Sequence, residues 1–162
     1  MNAVMFNSPS KGRMNLLRVI DDIVQYVEEY PNQKYVLIIG TDSQQYKDSV
    51  DFVSAIVAHR ISNGGRYFWT KVHKEKTKSL RERMYQEAMF SITLAQELRE
   101  KLRSRLQLLT LEETMEIHVD VGYNGQTKEM IKEIIGMVKG TGFIVKTKPE
   151  SFGASSIADK HT

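Results

Sequence analysis

Two aspartates stand at the ends of apolar runs. In "KYVLIIGTDSQ", Asp42 follows Val36, Leu37, Ile38 and Ile39 and is itself followed by small polar residues; in "IHVDVGYNG", Asp120 precedes a Gly-rich turn. Taken singly, each is ordinary turn chemistry at a strand end. Taken together, on strands that can be neighbours, the two carboxylates can converge on one cation. Glu87 sharpens the case. In "SLRERMYQEAMFSITLAQELREKLR", Leu80, Met84, Ser91, Leu94, Ala95, Leu98 and Leu102 share one helical stripe, and Glu87 lies inside it. A carboxylate on the sheet-facing side of a helix is costly unless it pairs with Arg or Lys, reaches water at the stripe's edge, or binds a metal. Glu82, nearer the helix start and on the opposite face, is its rival. The fourth candidate is Asp159 in "GASSIADKH", three and four residues after Ser156 and Ser155 and so on one side of a short helix. Its competing description is an exposed Asp near the end of the chain.

Carboxylates from several elements, with no cysteine and four histidines, suit Mg²⁺ or Mn²⁺ rather than zinc. Such sites, holding two hard cations about 3.5–4 Å apart, serve in-line phosphoryl displacement. A rigid strand end is where a ligand held in fixed geometry belongs.

Further residues fit a nucleic-acid partner. The run "KVHKEKTKSLRER" holds Lys71, Lys74, Lys76, Lys78, Arg81 and Arg83 against two glutamates. It can track a phosphate backbone or form a solvated face. Tyr67 and Trp69 alternate on one strand face, for stacking or for core packing. His118 and Asp120, two apart, share a face as a metal pair or as a sheet histidine beside a turn aspartate. Lys160 and His161 follow Asp159, where His161 can move protons or contact a phosphate. "GYNGQTK" sets Asn124 before a helix start, which attracts anions, although it lacks Walker-loop spacing and reads equally as a capped turn.

These residues need a scaffold. "NLLRVIDDIVQYVEEY" has helical periodicity that Pro31 stops, after the turn-rich "SPSKGRMN". A strand at about 34–42 comes next. "DFVSAIVAHRI" and "GRYFWTKVHKE", joined by "SNGG", read as a hairpin. The long helix spans about 78–106, "MEIHVDV" (115–121) is a strand, 126–139 a helix, "FIVKTK" a fifth strand, and "FGASSIADKH" a short last helix. Three antiparallel strands extended by βαβ crossovers give an α/β fold: a mixed five-stranded sheet flanked by helices. The expected organisation is one domain over 1–162 with an N-terminal helical extension at about 1–31.

Composition bounds the setting. The 162 residues are 41% hydrophobic and 27% charged, with net charge +3, ordinary for a globular chain and compatible with nucleic acid. The absence of cysteine suits the cytoplasm. No apolar run reaches membrane-spanning length, and "MNAVMFNSPSKGRMN" has no signal-peptide core.

The order of elements and acidic residues resembles the ribonuclease H-like superfamily, in which a three-stranded meander with an Asp on its first strand is followed by a helix bearing a Glu. An Asp ends the fourth strand, and another acidic residue sits on a late helix. Asp42, Glu87 (or Glu82), Asp120 and Asp159 fill those places. More narrowly, "FNSPSKG", "IGTDSQ", "HVDVGYNGQTK" and "KPESFGASSIADKHT" resemble the uncharacterised bacterial YkuK-type family over nearly the whole chain. The resemblance implies a ribonuclease H-like fold whose four carboxylates act as catalytic metal ligands for Mg²⁺ or Mn²⁺. The superfamily spans hybrid nucleases, junction resolvases, exonucleases, integrases and ATPases, so the resemblance does not settle the chemistry. The preferred expectation is a nuclease acting on RNA, an RNA–DNA hybrid or structured DNA, with Lys74, Lys76, Lys78, Arg81, Asn124, Lys160 and His161 on the nucleic acid. The Asp-x-Glu pattern of proofreading-type exonucleases is missing, since Gln44 stands where its Glu would be. The duplicated domain of the related ATPases does not fit this length. The rival expectation is a non-catalytic nucleic-acid- or protein-binding module that keeps the fold.

Overall fold

The computed structural model describes residues 4–61, 63–105, 115–120, 128–147 and 161. In chain order these form β1 (Met5–Ser8), β2 (Gly12–Asn15), α1 (Leu16–Glu29), β3 (Tyr35–Gln45), β4 (Ser49–Arg60) and β5 (Gly65–Glu75). Then follow α2 (Leu80–Arg105), β6 (Met115–His118), α3 (Lys128–Lys139) and β7 (Ile144–Lys146). The strands make one mixed sheet in the order β2-β1-β5-β4-β3-β6-β7. Neighbours from β2 through β3 are antiparallel, and β3–β6 and β6–β7 are parallel.

The expected meander is β3-β4-β5. The strand count, however, is seven among the described residues, where five were expected. The added pair comes from the segment expected as a turn leading into a helical extension. Residues 5–15 are instead a hairpin, with Phe6 opposite Met14 and both buried. Gly12 takes φ +74°, a conformation that favours glycine. Thr70 Oγ1 donates to the Met5 carbonyl at 2.8 Å, tying the hairpin to β5. Each strand is only four residues long, too short for alternation to stand out against the turn residues between them.

The helices cover one face of the sheet. Leu37 and Ile39 of β3, Ile56 and Ala58 of β4, Phe68 of β5 and Met115 and Ile117 of β6 meet Val19, Ile20 and Ile23 of α1 and Ala95 and Leu98 of α2 in one buried core. Burial of each large aliphatic side chain contributes roughly 1.5–3 kcal/mol before the entropy of ordering it is subtracted. Asn15 caps α1 by accepting from the Arg18 N–H at 2.9 Å. The far end of α1 is clamped by Arg60, whose guanidinium lies 4.1 Å from the Tyr26 ring centroid and donates to the Tyr26 carbonyl at 3.0 Å. The stripe of α2 matches expectation at Met84, Ser91, Ala95, Leu98 and Leu102, whereas Leu80 is 45% exposed.

The opposite face carries the alternate residues. Its apolar part is small: Ile38, Val53 and Ala55, with Val36, Val57 and Trp69 against them. By alternation Asp42 belongs to this second face, while Thr41 and Ser43 face α2.

Candidate metal and nucleic-acid site

Register places the two aspartates. Gly40 of β3 is paired with His118 of β6 in parallel, and the Val119 N–H donates to the Lys146 carbonyl at 2.9 Å, so extended pairing continues past β6. Asp42 and Asp120 each lie two residues beyond that last pair, at the same end of the neighbouring strands. Beyond Gly40, β3 has lost its β6 partner but keeps β4 as far as Gln45. This leaves an edge across which side chains from both faces can approach.

Glu87 reaches that edge from α2. The Ser43 hydroxyl donates to Glu87 Oε1 at 2.5 Å. One helical turn later, Ser91 Oγ lies 2.8 Å from Thr41 Oγ1, which also lies 2.8 Å from Ser54 Oγ. Two residues on the strand thus meet two residues one turn apart on the helix, fixing both the depth and the rotation of α2 over β3. Burial pushes the Glu87 carboxyl up to about 8. The Ser43 hydrogen bond and Arg83 pull it down, while the charges of Asp42 and Asp120 push it further up. Three expected ligands are therefore electrostatic neighbours. Among the described residues, no group of three or more His, Cys, Asp or Glu is placed so as to hold a metal ion.

Glu82 has a different task. Its carboxylate accepts from the Lys78 N–H at 2.9 Å while its own N–H donates to Ser79 Oγ at 3.1 Å, a reciprocal cap on α2. The capping hydroxyl three residues before Glu82 is the sequence signal that separates it from Glu87.

His118 is 5% exposed, and neither ring nitrogen has a hydrogen-bond partner. Burial, then the charge of Lys146, lowers it to about 4, so the ring is neutral at physiological pH. Its 4.0 Å approach to Glu116 is accordingly not an ion pair. Glu116, raised by burial and lowered by Lys146, lies 4.0 Å from the Lys146 ammonium.

The expected backbone-binding residues divide. Lys74, Lys76 and Lys78 are exposed, with the Lys74 ammonium 5.1 Å from the Phe90 ring centroid. Arg81 is held by Glu133 of α3 at 2.7 Å, and the same carboxylate accepts from the Tyr85 hydroxyl. His161 stacks on Trp69 with centroids 4.1 Å apart and planes at 12°. Asn124, Asp159 and Lys160, with the expected last helix up to residue 160, lie outside the described residues. Ser43 and Thr41 were not singled out by sequence reasoning, and Arg83 was named only as part of the basic run. The signal for the first two was a pair of hydroxyls alternating on the helix-facing side of an otherwise apolar strand.

A cavity of about 480 Å³ lies elsewhere, lined by Phe6, Leu16, Leu17, Val72, Phe90 and Leu94 among others. Its titratable lining groups are Glu97 and Lys101, and none of the expected ligands lines it. No helix among the described residues is long and apolar enough to cross a membrane.

Comparison with known proteins bears on this arrangement. A family model described as ribonuclease H-like matches residues 18–162. The chain is 33% identical to an uncharacterized protein, YkuK, of Bacillus subtilis (strain 168), over 99% of this chain and 98% of that one. No solved structure matches.

Proposed function

The chain belongs to the ribonuclease H-like family, and from that premise we propose a divalent-metal-dependent nuclease that hydrolyses phosphodiester bonds in RNA, an RNA–DNA hybrid or structured DNA, acting in the cytoplasm. One observation carries the proposal. The half-buried Glu87 is driven up to about 8, with two aspartates adding to the push. The negative charge gathered there calls for neutralisation, which a proton supplies in the free protein and a divalent cation would supply in its place. The donor set fits the hard ions Mg²⁺ and Mn²⁺: oxygens only, on rigid elements. Asp42, Glu87 and Asp120 would hold the metal, with Asp159 as a fourth ligand. Such an ion, when bound, stabilises developing charge on phosphoryl oxygens and makes water more acidic.

The chain's own residues do the rest. Ser43 orients Glu87 through its Oε1. The Ser54–Thr41–Ser91 hydroxyl chain locks α2 against the strand that bears Asp42. Exposed Lys74, Lys76 and Lys78 would take the phosphate backbone, with affinity that falls as salt rises. Asn124 and Lys160 are further candidates for the nucleic acid, whereas Arg81, already bound to Glu133, is a weaker one and His161 rests on Trp69. A non-catalytic binding module is the second reading, favoured by the lack of a group of three or more such side chains placed to hold a metal ion among the described residues.

A nuclease panel decides between them: single-stranded RNA, hybrid, duplex and junction DNA, each with Mg²⁺ or Mn²⁺, comparing wild type with Asp120→Asn. The expected result is metal-dependent cleavage by the wild type that the variant loses. Equal activity of the two proteins, or none in either, would overturn the proposal.

A further inference from the structure

Trp69 is the chain's single tryptophan, and what rests on it is informative. The imidazole of His161 lies nearly parallel to the indole at 4.1 Å, and Tyr67 adds a tilted ring 6.1 Å from the same imidazole. Cross-strand register places these groups relative to the carboxylates. Trp69 pairs with Ala55, Ala55 with Gly40 and Gly40 with His118, so one row runs from indole to imidazole over two positions with almost no side chain. At its far end stands His118, buried, with both ring nitrogens unpartnered. Buried polar atoms are overwhelmingly partnered, so such a ring is poised for a polar edge brought in beside it. The adjacent row holds Asp42, Val53 and an exposed Lys71. From strand spacing and rise, Trp69 is rooted about 12 Å from Asp42 on the same face.

We propose that Trp69 is a stacking seat for an unpaired nucleobase of a single-stranded substrate, and that His161 fills this seat in the free protein. The seat already accepts a planar nitrogen heterocycle in parallel stacking, the geometry a base adopts on an aromatic side chain. A base within a duplex has no free face to offer. Lys71 meets the charge of a backbone running from the seat toward Asp42. The inference rests on the nuclease reading only for the class of ligand, and it narrows that class to single strands.

The test uses the full chain in EDTA, so that cleavage plays no part, and follows Trp69 fluorescence. The probes are a short oligodeoxyadenylate and the same strand paired with its complement. The single strand should quench the tryptophan and bind at least about tenfold more tightly than the duplex, since a base stacked on an aromatic side chain adds to single-strand affinity alone. His161→Ala should tighten single-strand binding severalfold by removing the competitor. Trp69→Leu, read by anisotropy of a labelled probe, should bind both probes alike. Equal binding of the two probes by the wild type overturns the proposal. So does unchanged or weaker single-strand binding in His161→Ala, which would make the stack a structural clasp and which does not depend on the tryptophan variant folding. Preference for single strands with an inactive nuclease panel would sink the nuclease reading and leave the seat standing.

Discussion

Two acidic side chains are drawn into the protein, and they are treated in opposite ways. Asp22 of α1 is 4% exposed and meets two cations, Arg66 Nη1 at 2.5 Å and Lys11 Nζ at 3.1 Å. One carboxylate thereby joins the hairpin turn, α1 and β5, and the Arg66 guanidinium also lies 5.1 Å from the Tyr26 ring centroid. Glu87 has a serine hydroxyl as its close partner, and Asp42 and Asp120 raise it more than neutral surroundings would. Arg83 counters this, but the carboxyl remains at about 8. A buried charge needs compensation. Where the carboxylate serves the architecture, the sequence supplies the cations; around Glu87 it gathers two further carboxylates, and in the proposed function a metal would complete the compensation.

Removing the charge should therefore act in opposite directions at the two places. Asp22→Asn strands Arg66 and Lys11, both of which can recover some water. The expected loss is about 2 kcal/mol, below the range for fully buried pairs, or roughly 5 °C in melting temperature. Glu87→Gln relieves burial and repulsion, so in EDTA it should melt above wild type. Calorimetry of both variants without metal checks the contrast; destabilisation by Glu87→Gln would erase it.

The pH dependence sharpens the contrast further. Glu87 titrates higher in the folded protein than in the unfolded chain, so between about 4.5 and about 8 the folded state holds the extra proton. Its stabilising contribution is complete below that window and is lost as pH rises through about 8. Metal-free protein should consequently melt lower at pH 8.5 than at pH 6.5, and either Glu87→Gln or added Mn²⁺ should flatten the slope. His118 acts on the acid side. Lowered from 6.5 to about 4, it leaves the unfolded chain with more protons across that interval, so its contribution is lost as pH falls through it. Melting curves across pH 4–9 in EDTA report both limbs. The smallest effect belongs to the capping pair: Ser79→Ala should cost about 1 kcal/mol and leave the response to Mn²⁺ intact, because Ser79 and Glu82 serve the helix end.

Much of this was legible before any coordinates, and the reasons are local. The strand bearing Asp42 stands out because four apolar residues precede it, and its hairpin partners because Asn63 and Gly64 sit between two β-rich runs; Gly64 does adopt φ +89°. The inward placement of Glu87 follows from 3.6-residue periodicity alone. The first hairpin escaped because its pairing is non-local: β1 is recruited by β5, sixty residues away, through contacts such as Asn7 with Trp69. Ser43 escaped for a related reason. A hydroxyl at a strand end is unremarkable until the register of α2 over β3 is known, and tertiary packing sets that register. Arg81 shows the converse, a basic residue in a basic run whose charge is taken up by a helix far along the chain.

The central claim is that Asp42, Glu87 and Asp120 together form a slot for a hard divalent cation. Crystals soaked in Mn²⁺ and measured at the manganese absorption edge test it most directly. The account predicts an anomalous peak at ligand distance from carboxylate oxygens of Asp42, Glu87 and Asp120, absent in Asp42→Asn. A peak elsewhere, no peak, or one that survives in Asp42→Asn would contradict it.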